Sequence, residues 1–211
     1  MNTISQLPTR ERILNASLKL VRKKGFGATR IDDICLEAGV TKGAFFHHFK
    51  DKETMGVAAA NHWSEVTGSF FAGAPYHLPA DPYDRLIGYV DFRIAILQGL
   101  PADFTCFVGT TVQEMHEASS AIKQACAESI FDHAAKLIPD ITAAKADRVP
   151  NADWTPESLA RFTQAALQGA FILAKADGTA ETAIDMAKHL RRYIVGLFAA
   201  IPTQNKDNGN G

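Results

Sequence analysis

Thr29–Phe49 reads TRIDDICLEAGVTKGAFFHHF. Ile31, Ile34, Cys35 and Ala38 recur at i, i+3, i+4 and i+7, the spacing of a short helix with one buried stripe. Thr29 opens it, with Asp32 three residues on as a weaker form of the capping box. Gly39 ends it, because glycine alone takes left-handed backbone without cost. Val40 enters a turn, and Thr41 caps a second short helix running to about Phe49. Two short helices around a tight glycine turn are the helix-turn-helix pattern, which presents the start of its second helix to the major groove. An ordinary packed helix pair carries the same stripe, so the second helix has to separate the two readings. At ~100° per residue, Phe49 falls beside Phe45, His48 at their flank, and Gly43 and His47 opposite, between Ala44 and Phe46. A core has no use for a face of Gly, Ala, His and an outward Phe. Against DNA, Gly and Ala permit close approach and His donates to phosphate or base.

Outward from this stretch, the spacing predicts a helix from Thr9, as cap, to about Lys24, stopped by Gly25. Ile13, Leu14, Ala16, Ser17, Leu20 and Val21 share one arc of it, and Arg12, Asn15, Lys19, Arg22 and Lys23 the other. Asp51 caps a long fourth helix to about Phe71. Residues 1–55 hold ten Lys/Arg and six Asp/Glu, a net of +4, and residues 56–211 hold twelve and seventeen, a net of -5. The basic end suits a polyanion, although a +4 segment is commonly just a solvated surface. The full 211 residues are 46% hydrophobic and 21% charged, a globular composition with chain enough for a core. The longest uncharged run, Val66–Ala80, is 15 residues broken by Gly, Pro and His, short of the ~18 apolar residues of a membrane helix. The N-terminus has no apolar signal core, and three cysteines make no disulfide framework. These features predict a cytoplasmic protein with reduced thiols and no membrane partner.

From residue 56 the chain stays helical. Helices are expected over about Pro82–Gly99, Phe104–Glu117 and Ser119–Leu137, with a polar loop over Pro139–Thr155. Thr155 caps a helix to about Ala176, and a last one spans about Glu181–Ala200. The expected organisation is all-α, with a helix-turn-helix domain at 1–52, a helical domain at 53–203 and a disordered tail at 204–211. Ala183, Ala187, Leu190, Ile194, Leu197 and Ile201 form a heptad seam, and Leu159, Thr163, Ala166, Ala170 and Leu173 repeat its spacing. Small residues at 165, 166, 169 and 170 let another helix approach. Such a seam fits a subunit interface or burial within one chain.

Thr9–Glu53 resembles, nearly end to end, the DNA-binding domain of the TetR family of bacterial transcriptional repressors. The resemblance is carried by GF-x-AT-x-x-x-x-I over Gly25–Ile34, AGV-x-KG over Ala38–Gly43 and F-x-HHF-x-x-KE over Phe45–Glu53. It implies phosphate contact by Thr29, a guanine or phosphate contact by Arg30, and a recognition helix starting at Thr41, Lys42 and Gly43. It further implies that Ala44 touches a thymine methyl, that His47 contacts phosphate and that Lys52 grips the backbone. Alone, His47 and His48 read as solvated surface histidines. Phe46 departs from the family, which commonly has a phosphate-binding Tyr there. Either His48 takes over or that contact is missing.

The resemblance also implies a homodimer through the last two helices, with Ala166, Ala170, Leu173, Ala183, Ala187, Leu190, Ile194, Leu197 and Ile201 at the interface. Such a dimer reads two half-sites of a palindromic double-stranded DNA operator ~34 Å apart. It implies a small-molecule inducer enclosed by the middle helices, and the aromatic and polar candidates there suit an apolar, aromatic or weakly anionic molecule. The candidate pocket residues are Trp63, Phe70, Tyr89, Phe92, Phe104, Cys106, Thr110, Gln113, His116, Phe131 and Phe162, each of which also suits a core. The expected function is a ligand-responsive transcriptional regulator of the repressor kind. One alternative is a thiol sensor of the same fold, since DFTCFVGTTVQE around Cys106 resembles a branch often carrying cysteine there, against the reading of a buried pocket residue. A remoter alternative is a helical protein-binding adaptor. No HExxH, CxxC, GxSxG or Walker loop occurs and no two histidines stand at i, i+4, so neither enzyme activity nor a cofactor or metal is expected.

Overall fold

A computed structural model describes residues 7–199, and every regular element among them is a helix. Helix α1 spans Thr9–Lys24, α2 Ile31–Ala38, α3 Lys42–His48 and α4 Lys52–Ala72. After a 3-10 turn at Pro75–His77 come α5 (Pro82–Ala95), α6 (Pro101–Phe104), α7 (Phe107–Met115) and α8 (Ser120–Ala135). Then follow α9 (Ile138–Arg148), α10 (Pro156–Asp177) and α11 (Ala180–Leu197). Ile201 and the tail at 204–211 lie outside the described residues.

The expected caps at Thr41, Asp51 and Thr155 are made: each side chain accepts a backbone N–H from the first turn of its helix. Two others differ. Thr9 is the first helical residue of α1, behind Pro8, and caps nothing. At α2 it is Asp33, not Asp32, that closes the start, accepting the Arg30 N–H at 2.9 Å. The helix begins at Ile31, two residues later than Thr29, which makes Asp33 its third residue. Gly39, at φ 62°, makes the left-handed turn between α2 and α3.

The predicted loop after Pro139 contains α9 instead. Proline is tolerated in a first turn, and Ile141 and Ala144, both fully buried, give α9 a stripe sufficient to dock it. The single helix expected over 104–117 is broken at Thr105–Cys106 into α6 and α7, and α5 stops at Ala95.

Two cores hold the chain. The first joins α1, α2 and α3 through Ile13, Val21, Ile34, Phe45 and Phe49 to Met55, Ala59 and Ala60 of α4, and continues to Phe107 of α7 and Ile122 and Cys126 of α8. The N-terminal helices thus share one core with the middle of the chain, and α4 passes through both parts. The second core gathers α5, α8, α9, α10 and α11 around Tyr89, Ile141, Leu167 and Phe171.

The heptad seam of α11 belongs to this second core. Ala183, Ala187, Leu190 and Ile194 are buried within the chain, and Leu197 is half-buried. Ala170 of α10 is buried too, and Ala166 half-buried. A seam spacing says that a stripe is buried and not which helix buries it. The exposed apolar face of these helices lies elsewhere, with Phe162 at 44%, Leu173 at 47% and Tyr193 at 48% exposure. The Phe162 and Tyr193 rings meet at 4.8 Å on that face. Among the described residues of the expected interface, only Leu173 is largely exposed.

Candidate nucleic-acid interface and cavity

Phe45 and Phe49 anchor α3 in the first core with almost no exposure. Their burial turns Gly43, Phe46, His47 and His48 to solvent, with Ala44 half-buried beside them. Phe46 stands 48% exposed, its ring edge-on to Phe45 at 5.4 Å, and the His47 and His48 rings meet edge-on at 5.1 Å. Thr41 accepts the Ala44 N–H at 3.1 Å and keeps its hydroxyl proton for another acceptor. A Cβ on Gly43 would meet nothing nearer than the Thr41 hydroxyl at 3.8 Å. Glycine inside a helix costs about 1 kcal/mol against alanine. Packing within the chain gives no reason for it here, and the vacant space faces outward.

Lys42 is exposed, with its ammonium 2.8 Å from the Asp32 carboxylate, whose hydrogen bond raises its pKa. Arg30 is exposed at the start of α2. Two expected contacts are corrected. Thr29 is fully buried and its hydroxyl donates to the Gly25 carbonyl at 2.6 Å, so it latches the loop after α1 instead of facing a phosphate. Lys52 turns inward: its ammonium donates to the carbonyls of Phe26 at 2.6 Å and Gly27 at 3.3 Å and sits 4.5 Å from the Phe26 ring centre. Burial lowers its pKa.

Most of the basic surplus has such internal work. Arg12 holds the Ala38 and Gly39 carbonyls at 2.6–3.0 Å. Lys19 pairs with Glu37 and Lys24 with Asp33, both at 2.6 Å. Among the described residues, Lys23, Arg30 and Lys50 are exposed basic groups without a side-chain partner. Lys50, beside α3, was not singled out from the sequence, where nothing marks it beyond its charge.

Behind this surface lies a cavity of about 360 Å3. Of the expected pocket residues Trp63, Phe70, Phe104 and Cys106 line it. Tyr89 does not: it is buried behind the wall, its hydroxyl 3.0 Å from His133 Nε2 and accepting from Gln164 Nε2 at 3.3 Å. The Tyr89 hydroxyl and Nε2 of His133 share one hydrogen bond, and the pKa of His133 is pushed down to about 3 by burial first and then by Arg93 and Lys136. Phe92 packs on Phe70 and Phe71 at 5.4 and 5.6 Å, outside the lining. Thr110 and Gln113 line a separate cavity of about 210 Å3 with Glu114 and Lys175. Thr110 accepts from Lys175 there at 2.6 Å, and Gln113 donates to the Gly109 carbonyl at 2.7 Å. His116 stands exposed at the end of α7 beside Glu117. Phe131 is exposed with Arg161 over its ring, and Phe162 belongs to the outer face of α10.

Missed from the sequence were the polar lining residues Arg22, Thr67, Arg93, Asp103, Ser129, His133, Gln164 and Gln168, along with apolar ones such as Phe71, Leu97 and Phe171. A signal existed for Arg93, which occupies a position on the apolar stripe of α5 with Tyr89 and Val90. Gln164 and Gln168 stand at i, i+4 on α10 in the same way. None existed for Arg22. It leaves α1, covers the Trp63 ring at 5.3 Å and donates to the Asp103 carbonyl at 3.0 Å. A second bridge runs from Glu114 of α7, whose carboxylate accepts the Phe26 and Gly27 N–H groups at 3.0 and 2.7 Å. Glu114 and Lys52 thus clamp the loop between α1 and α2, the carboxylate on its N–H groups and the ammonium on its carbonyls.

The comparisons with known proteins agree with this arrangement. Residues 13–59 match the bacterial regulatory proteins of the tetR family. Residues 82–190 match the tetracyclin repressor-like C-terminal domain. The transcriptional repressor DhaR of Mycobacterium sp. strain GP1 is 23% identical over 208 residues, 97% of this chain and 99% of DhaR. YerO of Bacillus subtilis, an uncharacterized HTH-type transcriptional regulator, is 46% identical over 54 residues, 26% of this chain and 19% of that protein. The reduced form of Escherichia coli NemR superposes with a TM-score of 0.74 at 20% identity, over 87% of this chain and 95% of that one, a likeness of fold. With the second match alone taking in 82–190 of 211 residues, the chain belongs to the TetR family of bacterial transcriptional regulators.

Proposed function

We propose that the protein binds a palindromic DNA operator as a homodimer and that a small molecule held in the 360 Å3 cavity releases it, which makes it a repressor. The observation that carries the DNA reading is the outward face of α3, where Gly43 leaves open space between exposed Lys42 and His47. The proposed contact set is Arg30, Thr41, Lys42, Gly43, Ala44, Phe46, His47 and His48. Phosphate positions the helix and base edges specify it. His48, exposed next to Phe46, supplies the phosphate donor that a phenylalanine lacks. The outer faces of α10 and α11, with Phe162 and Tyr193, supply the dimer contact. Arg22 and Glu114 supply the coupling, because each joins a cavity wall to α1 or the loop after it. The repressor sense is supported by DhaR, which carries that name.

The test is a gel-shift titration on duplex DNA selected from a random pool. Lys42→Ala with His47→Ala abolishes binding and leaves the circular dichroism melt unchanged. Unchanged affinity overturns the α3 assignment.

One observation favours a second reading, a thiol sensor. Cys106 is the N-cap of α7, its sulfur accepting the Gly109 N–H at 3.3 Å, and it lines both cavities. Cys35 and Cys126 are buried, and burial raises both thiol pKa values, Cys126 to about 12. In this reading Cys106 is alkylated well ahead of the other two in mass spectrometry, and equal slow reactivity removes it.

A further inference from the structure

The 360 Å3 cavity holds an uneven set of charges. Asp103 is its one carboxylate among the described lining residues, and Oδ2 of that group caps α6 by accepting the Leu100 N–H at 2.9 Å. Arg22 has partners, the Leu18 and Asp103 carbonyls, each at 3.0 Å. Arg93 has none of this kind. Its guanidinium lies 5.1 Å from the Phe71 ring centre and 5.6 Å from that of Phe171. Its Nε is buried without a hydrogen-bond partner, and no carboxylate pairs with it among the described residues. The nearby His133 is neutral, so it neither balances nor competes with this charge.

A half-buried cation whose buried Nε–H has no acceptor is costly until something completes it. A guanidinium packed against two rings still has its Nε–H and the neighbouring Nη–H for hydrogen bonds, and that pair matches the two oxygens of a carboxylate. The rest of the wall suits a flat apolar body, with Trp63, Phe70 and Phe104 as ring surfaces. The volume falls in the ~300–1,000 Å3 range of small-molecule sites.

We propose that the cavity takes a planar aromatic carboxylate, its anionic group on the free edge of Arg93 and its ring among Trp63, Phe70 and Phe104. A cation entering the same space would meet two guanidiniums. A neutral amide of the same shape brings one acceptor oxygen and no charge, where the carboxylate brings two oxygens and a negative charge. The proposal rests on the reading of this cavity as the effector site and names the chemistry of the effector.

The test titrates the full-length protein calorimetrically with benzoate, 1-naphthoate and 2-naphthoate and with the matching neutral amides. At least one acid binds about tenfold or more tightly than its own amide, the scale of one charge-assisted hydrogen bond. Arg93→Gln brings that ratio near one and leaves the amide affinity unchanged. Arg93→Lys, which keeps the charge and loses the fork, retains a reduced preference, and it decides the matter if the glutamine variant fails to fold by circular dichroism. Equal binding of acid and amide overturns the proposal and leaves the cavity as an effector site. So does a preference that survives Arg93→Gln, or one that Arg93→Lys leaves at full strength. Failure of every probe to bind overturns the carboxylate and the effector cavity together, while operator binding without ligand stands or falls separately in the gel shift.

Discussion

Arg12 gives three hydrogen bonds to the carbonyls that end α2, two on Ala38 and one on Gly39. It fixes the turn that sets α3 against α2, a task that its place on the polar arc of α1 does not reveal. Arg12→Ala leaves those carbonyls to water and is expected to destabilise the fold by about 1–3 kcal/mol in urea unfolding, the range for hydrogen bonds to a charged group. A loss within error of zero refutes the latch. Thr29 and Lys52 teach the same lesson from the other side. Both match family positions, and both spend their donors on carbonyls of the α1–α2 loop. His133 adds a pH prediction. Its pKa is about 3 folded against 6.5 as a free group, so protonation favours the unfolded chain. The stabilisation from its neutral form is complete above pH ~6.5 and is lost as pH falls from there toward 3. The melting temperature of the wild type falls over that window, and His133→Gln flattens the profile. Identical profiles count against a buried neutral histidine.

At the scale of elements, most local signals hold, with the caps at Thr9 and Asp32 as exceptions. The stops at Gly25 and Gly39, the caps at Thr41, Asp51 and Thr155 and the two faces of α3 all follow from neighbours within a turn or two. Helix α9 was hidden because Pro139 and a polar run look like a loop, while two buried residues, Ile141 and Ala144, suffice to dock it. The heptad seam of α11 was legible as burial but not as to its partner, and it proved internal. That decides which substitutions test a dimer. Leu190 is only 3% exposed, so Leu190→Glu with Leu197→Glu unfolds the chain instead of splitting a dimer. Phe162→Glu with Tyr193→Glu, on the exposed face, gives monomers in sedimentation with helicity unchanged. A dimer that persists through this pair rules out that face.

For the whole molecule, the charge split predicted a basic end for a polyanion, and the structure narrows that surplus. Arg12, Lys19, Arg22, Lys24 and Lys52 hold the N-terminal helices to one another and to α6, and Arg30, Lys42 and the histidines of α3 remain outward. The cavity was legible only as three aromatics and Cys106. Its polar half comes from α1, α4, α5, α6, α8 and α10, which no local spacing relates. By itself the sequence determined the helix-turn-helix, the outward face of its second helix, the all-helical class and the family. The first three rest on caps, stops and stripes that act within about two helical turns, and the family on the motif resemblance over Thr9–Glu53. Only the tertiary structure decided which core each stripe enters, which cations are spent inside and where the cavity opens. Those depend on partners such as Arg12 and Ala38, 26 residues apart, Arg22 and Asp103, 81 apart, and Phe26 and Glu114, 88 apart. Separations of that size lie beyond any helical period, and only packing brings them within reach of a hydrogen bond.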